Sequence, residues 1–106
     1  MENNRLTFDF NDGVLRVSIV GEINHHSAAS ARQAIDEKIR ELSPKNLVLD
    51  LAEVSFMDSS GLGLIMGRYQ LMQDLGGTLT IANPSAEHKK LFKLAGLNKF
   101  IKIIKK

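Results

Sequence analysis

The sequence predicts an α/β domain built on a single mixed, mostly parallel sheet, with elements in the order β-β-α-β-α-β-α-β. Three observations predict it. Two strand-like runs flank Asn11-Asp12-Gly13, the signature of an antiparallel hairpin. Three later segments carry apolar residues at helical spacing. Each is followed by a short apolar run, and strands joined through single helices lie parallel, with right-handed crossovers.

Thr7-Phe8-Asp9-Phe10 and Val14 to Val20 are the hairpin strands, closed by Gly21-Glu22-Ile23. A helix runs from about Ser27 to Leu42, with Ala28, Ala31, Ile35, Ile39 and Leu42 as its inward stripe. Asn24 or Ser27 can cap it, because a short polar side chain accepts from free first-turn amides, and Ser43-Pro44 ends it. Leu47-Val48-Leu49-Asp50-Leu51 is apolar without strict alternation, which suits a strand covered on both faces. A second helix spans about Ser59 to Leu75, with Leu62, Ile65, Met66, Tyr69 and Met72 inward, and stops at Gly76-Gly77. Thr78 to Ala82 is a strand. Asn83-Pro84 opens a third helix, with proline at its first position and Leu91, Leu94 and Ala95 inward. Gly96 suits a left-handed cap with Leu97 folding back over it, and Phe100 to Ile104 is the last strand.

A chain of 106 residues, 43% hydrophobic and 25% charged, is one domain with a real core, taken here as residues 1–106. No cysteine is present, which excludes disulfides and thiolate metal sites. Met1 to Arg5 is polar and lacks the apolar stretch of a signal peptide, so the expected location is the cytoplasm, with no membrane association. Charge is uneven: residues 1–84 carry seven Lys/Arg and eleven Asp/Glu, whereas residues 85–106 carry seven Lys and one Glu. That basic end lacks arginines and the stacking aromatics of a nucleic-acid surface, so direct nucleic-acid binding is not expected.

The chemistry concentrates at Asp58-Ser59-Ser60-Gly61, where an apolar run gives way to a helix. Open α/β sheets bind ligands at that edge. Asp58 or Ser59 as a helix cap explains one polar residue. It does not explain Gly61, Gly63 and Gly67, since each glycine inside a helix costs about 1 kcal/mol relative to alanine. Close packing on the sheet and close approach by a partner both remain open as explanations. Leu64, Gly67 and Leu71 line up beside the inward stripe as a candidate docking strip. A nucleophilic role for Ser59 would need a base; His25 and His26 sit at another strand-to-helix junction, but the G-x-S-x-G elbow is absent. The glycines match no phosphate-binding loop, and His25, His26 and His88 show no metal-ligand spacing. A serine at an exposed helix start can instead accept a phosphoryl group, because the first-turn amides and helix dipole tolerate the added charge.

Phe56 to Gly63, continuing through Gly67-Arg68-Tyr69, closely resembles the signature of anti-sigma factor antagonists with the STAS fold, most of all the sporulation stage II type. Gly21-Glu22-Ile23 and Leu47 to Leu51 also fit, and the resemblance covers essentially the whole chain. It implies a partner-switching regulator of transcription rather than an enzyme. The unmodified protein would bind an anti-sigma factor that is also a serine kinase and free the sigma factor. The kinase would phosphorylate the serine after the motif's aspartate, here Ser59, and a serine phosphatase would restore the active form. Asp58, Ser60, Gly61 and Asn24 would shape the site. The family often has Asp where this chain has Asn24. ATP would belong to the kinase, so no cofactor is assigned, although weak nucleotide binding near the same edge fits the family. The alternatives are a STAS module of another signalling or transporter-associated complex, and a small nucleotide-binding sensor.

Overall fold

The computed structural model describes residues 4–106; Met1-Glu2-Asn3, part of the polar stretch that lacks the apolar run of a signal peptide, lies outside them. Strands β1 (Asn4–Asn11), β2 (Val14–Ile23), β3 (Asn46–Met57), β4 (Thr78–Ala82) and β5 (Lys102–Ile104) form one sheet in that spatial order. β1 and β2 are antiparallel and the other pairs parallel. Helices α1 (Ala28–Leu42), α2 (Ser59–Asp74) and α3 (Ala86–Leu94) connect the parallel strands, with a short 3-10 turn at Leu97–Lys99. The element order is the one the sequence predicts.

The hairpin forms because Asp12 and Gly13 both take the left-handed backbone, at φ 53° and 80°, which matches the twist of the flanking strands. The Gly13 carbonyl then accepts from the amides of Lys45 and Asn46, tying the turn to the start of β3. Leu15 and Val17 of β2 lie in register with Leu47 and Leu49 of β3 and, beyond them, with Leu79 and Ile81 of β4, and Ile19 is buried beside them. Ala31, Ile35 and Ile39 of α1 and Leu64, Ile65 and Met72 of α2 join them in one core.

Several expectations change. The Leu47–Leu51 strand buries its leucines on the helix side, but its other face is polar rather than covered by a second apolar layer. Val48 is buried there between its register partners Arg16 and Thr80. The strand also continues to Met57. Two irregularities against β2, at Ser18/Val20 and Gly21/Glu22, absorb the extra residues of β3, as bulges do when they re-aim a strand end. α3 starts at Ala86, two residues after Pro84, with Ser85 as its N-cap, accepting from the His88 amide at 3.0 Å. Asn83 must first turn the chain with φ 56°. In consequence His88 and Phe92 are the buried residues of α3, while Leu94 is 81% exposed and Ala95 is exposed too. The 3-10 turn delays β5 from Phe100 to Lys102.

Asp50 ties three elements together on the polar face. Its Oδ2 meets Arg16 Nη2 at 2.7 Å, and its Oδ1 accepts from the Ala52 amide at 3.0 Å and from Asn83 Nδ2 at 3.2 Å. Burial alone would raise this carboxyl, but the bonds from Ala52, Arg16 and Asn83 outweigh it and hold it below the usual carboxylate range. A depressed folded-state pKa adds stability above the unfolded value, and that stability is lost as pH falls through the folded value. Asp50→Ala is expected to cost about 1–3 kcal/mol near neutral pH, with the gap to the parent shrinking below about pH 4; urea unfolding across pH 3 to 7 measures it.

Candidate functional site

Two strand-to-helix junctions meet at one end of the sheet: β2 into α1 at Ile23–Ser27, and β3 into α2 at Met57–Ser59. Backbone pairing brings them together, with Ile23 in register with Met57 and the Asp58 amide donating to the Ile23 carbonyl. Asp58, extended at φ −105° and ψ −167°, is the N-cap of α2. Its Oδ1 accepts from the Ser60 amide at 2.8 Å, and its Oδ2 accepts from the His25 amide at 3.2 Å. One carboxylate therefore caps a helix and holds the neighbouring loop.

Asn24 organises that loop. Its Oδ1 accepts from the amides of His26 and Ser27, and its Nδ2 donates to Glu22 Oε1. Ser27 stands at the N-cap position of α1, but its hydroxyl donates to the Glu22 carbonyl and accepts from the Asn24 amide rather than capping the helix. Of the two candidate caps, Asn24 does the capping. His25 and His26 are exposed, their rings edge-to-face at 5.6 Å, and among the described residues neither ring is bonded to a serine.

The two serines differ. Ser59 is exposed, and no hydrogen bond among the described residues engages its hydroxyl. Ser60 is half-buried and turns toward α1, where with His25, Ala29, Arg32, Gly63 and Leu64 it lines a notch of about 290 Å³.

The glycines separate in the same way. A Cβ on Gly61 would lie 2.2 Å from Met57 Cγ and 2.8 Å from its Sδ, so α2 approaches the sheet closely because residue 61 is glycine. A Cβ on Gly63 or Gly67 would meet nothing within 4 Å. Packing accounts for the first; open space remains beside the other two, on the same side of α2 as Ser59.

The docking strip needs correction. Leu64 is only 4% exposed and lies in the core, at the floor of the notch. Leu71 is half-buried against the core, and Gly67 is half-exposed. Met66, expected inward, is 37% exposed. The exposed strip of α2 runs Ser59, Gly63, Met66, Gln70, positions four, three and four apart and therefore aligned on one helix face. The signal for Met66 was its spacing of seven from Ser59. Arg68 hid it, because this charged residue sits in the buried face, 5% exposed. Arg68 Nε lies 2.8 Å from Oδ1 of Asp36 on α1, itself 8% exposed. The N–H is poorly aligned with that oxygen, so charge more than a directed hydrogen bond holds the pair. Burial lowers the Arg68 pKa, and Asp36 partly offsets this.

With this geometry in hand, the comparisons are specific. A family model described as STAS domain matches residues 5–106. The chain belongs to the STAS-domain family. It is 36% identical to the anti-sigma F factor antagonist of Paenibacillus polymyxa, over 95% of this chain and 86% of that one. Its fold superposes on the anti-sigma factor antagonist SpoIIAA in its unphosphorylated form, with a TM-score of 0.81 at 26% identity, covering 93% of this chain and 87% of the other. The Bacillus cell fate determinant SpoIIAA in the phosphorylated form gives 0.75 at 26% identity, covering 93% and 90%. No helix among the described residues is long and apolar enough to cross a membrane.

The glycines make a direct test of the packing argument. Gly61→Ala is expected to destabilise the STAS domain by about 1–3 kcal/mol through overpacking. Gly63→Ala and Gly67→Ala are expected to stabilise it by up to about 1 kcal/mol each, because the helix gains and nothing is displaced. Thermal unfolding of the three variants checks both signs.

Proposed function

We propose that this STAS domain is an anti-sigma factor antagonist that works by partner switching in the cytoplasm. Its unmodified form binds an anti-sigma factor that is also a serine kinase, and the sigma factor is freed. The kinase then phosphorylates Ser59, binding ends, and a serine phosphatase resets the cycle. The observation that carries this reading is the exposed, unengaged Ser59 hydroxyl at the start of a helix whose cap is already supplied by Asp58. The likeness to the anti-sigma F factor antagonist of Paenibacillus polymyxa and to the SpoIIAA structures in both phosphorylation states supports it.

The chemistry is compatible with the geometry. The Ser59 oxygen attacks the γ-phosphorus of ATP held by the kinase. A new O–P bond forms, the bridge to the β-phosphate breaks, ADP leaves, and the hydroxyl proton passes to a base on the kinase. Asp58 is committed to structure instead, each of its oxygens accepting from a backbone amide. Its role is to hold the helix start that presents the serine. ATP and its metal stay with the kinase, and this chain supplies no cofactor.

The product is tolerated by the fold and not by the interface. A charge of about −1.5 to −2 at a helix N-terminus is favoured by the dipole. The same charge beneath a partner resting on Ser59, Gly63, Gly67 and Met66 would be buried without a counter-ion, which costs several kcal/mol. With Asn24 rather than Asp in the adjoining loop, that position adds no charge repulsion of its own.

Incubating the chain with its cognate kinase and ATP, followed by mass spectrometry, is expected to place a single phosphate on Ser59 and none on Ser60; phosphate on Ser60 would overturn the assignment. By titration calorimetry with the ADP-bound kinase, Ser59→Ala should bind like the parent and Ser59→Asp at least about tenfold more weakly, a loss of about 1.4 kcal/mol or more. Equal affinities would refute ejection by charge.

A further inference from the structure

We propose that the buried Arg68–Asp36 pair sets the rotation of α2 about its own axis and thereby aims Ser59 away from the core. The rotation is a claim about this chain alone; its functional meaning rests on the phosphoacceptor reading above. α2 offers two faces that compete for the core. One comprises Leu62, Ile65, Met66, Tyr69 and Met72 and is wholly apolar. The other comprises Gly61, Leu64, Ile65, Arg68 and Met72, and it is the one buried. At about 100° per residue the centres of these faces are about 80° apart. The apolar content favours the first, and the structure takes the second, with an arginine near its middle.

Something must offset the desolvation of that guanidinium. Asp36 does so from α1, at 2.8 Å from Arg68 Nε, while Arg68 Nη1 donates to the Leu64 carbonyl at 3.4 Å. Gly61 permits the close approach of α2 to Met57, but an absent side chain attracts nothing. The ion pair is the attractive element that exists only in the observed rotation. Buried polar pairs are best attested as devices that select one alignment among near-equal ones, often without adding stability. The consequence for the site is geometric. In the observed rotation Ser59 lies about 165° around the helix from the buried centre; with the apolar face inward it would lie about 85° away, against the helix flank.

The absence of cysteine allows a direct reading. Leu64→Cys and Met66→Cys, made singly, report which side of α2 is open to a thiol reagent. In the otherwise native chain the cysteine at 66 should react at least about tenfold faster than that at 64, since a buried thiol waits for local opening. In an Asp36→Leu/Arg68→Met background the fold should persist, the ratio should fall toward one, and kcat/KM for Ser59 phosphorylation should drop at least about tenfold through misplacement. The reversed pair, Asp36→Arg/Arg68→Asp, should restore the ratio. An unchanged ratio in the Leu/Met background would overturn the proposal. If that variant does not fold, Asp36→Asn/Arg68→Gln is read in the same way; failure of both to unfold cooperatively would show that the pair holds the helix rather than orienting it, and would also overturn it. The thiol ratio needs no kinase, so the rotation and the phosphoacceptor reading can fail separately.

Discussion

The Asp58 carboxylate joins two pieces of chain that are 33 residues apart, accepting from the Ser60 amide at the start of α2 and from the His25 amide in the loop before α1. That contact fixes the helix start on which Ser59 sits. The helix start is capped without using the Ser59 hydroxyl, and the α1 entry loop is held beside it by the same carboxylate. An aspartate can do both because a carboxylate has two oxygens and each can accept a separate amide. The backbone bond from the Asp58 amide to the Ile23 carbonyl closes the same junction from below.

Beneath that edge the helix is placed by two unlike means. At Gly61 the missing Cβ lets α2 come down onto Met57 and Ile23. At Arg68 a charge is drawn into the core by Asp36. The first is a matter of volume and the second of electrostatics, and both act on the buried side. Gly63 and Gly67 answer to neither, since open space surrounds them. In a stable helix two glycines without packing partners are a cost with no return inside the molecule. Under the proposed partner switching, the return lies outside it, in the open space these glycines leave beside Ser59.

The polar face of the sheet is the quiet counterpart to this arrangement. Asp50 gathers Arg16, the Ala52 amide and Asn83, and so links β2, the irregular stretch of β3 and the turn into α3. The irregularity at Ala52 lengthens β3 to Met57 and delivers Asp58 at the level of Ile23. The position of the edge that carries Ser59 is thus tied to a carboxylate on the opposite side of the strand from the helices.

What was readable from the chain alone was local. Asp12-Gly13 announced the hairpin because few residues accept the left-handed backbone. Asp58 announced a cap, Gly76 and Gly96 announced helix ends, and the stripe of α1 was legible because its apolar spacing has one solution. The Asp-Ser-Ser-Gly stretch stood out by composition, and Ser59 with it. Tertiary structure alone decided which face of α2 is buried, since Leu64 and Met66 are both apolar and only contacts with other elements, Asp36 beside Arg68 and Met57 beneath Gly61, separate them. It also decided how far β3 runs and where α3 begins, because the bulges against β2 and the bond from Asn83 to the Ile104 carbonyl join residues distant in sequence. Local backbone preference is written in a few neighbouring residues; the choice between two nearly equal apolar faces is made by a partner the helix meets only after folding.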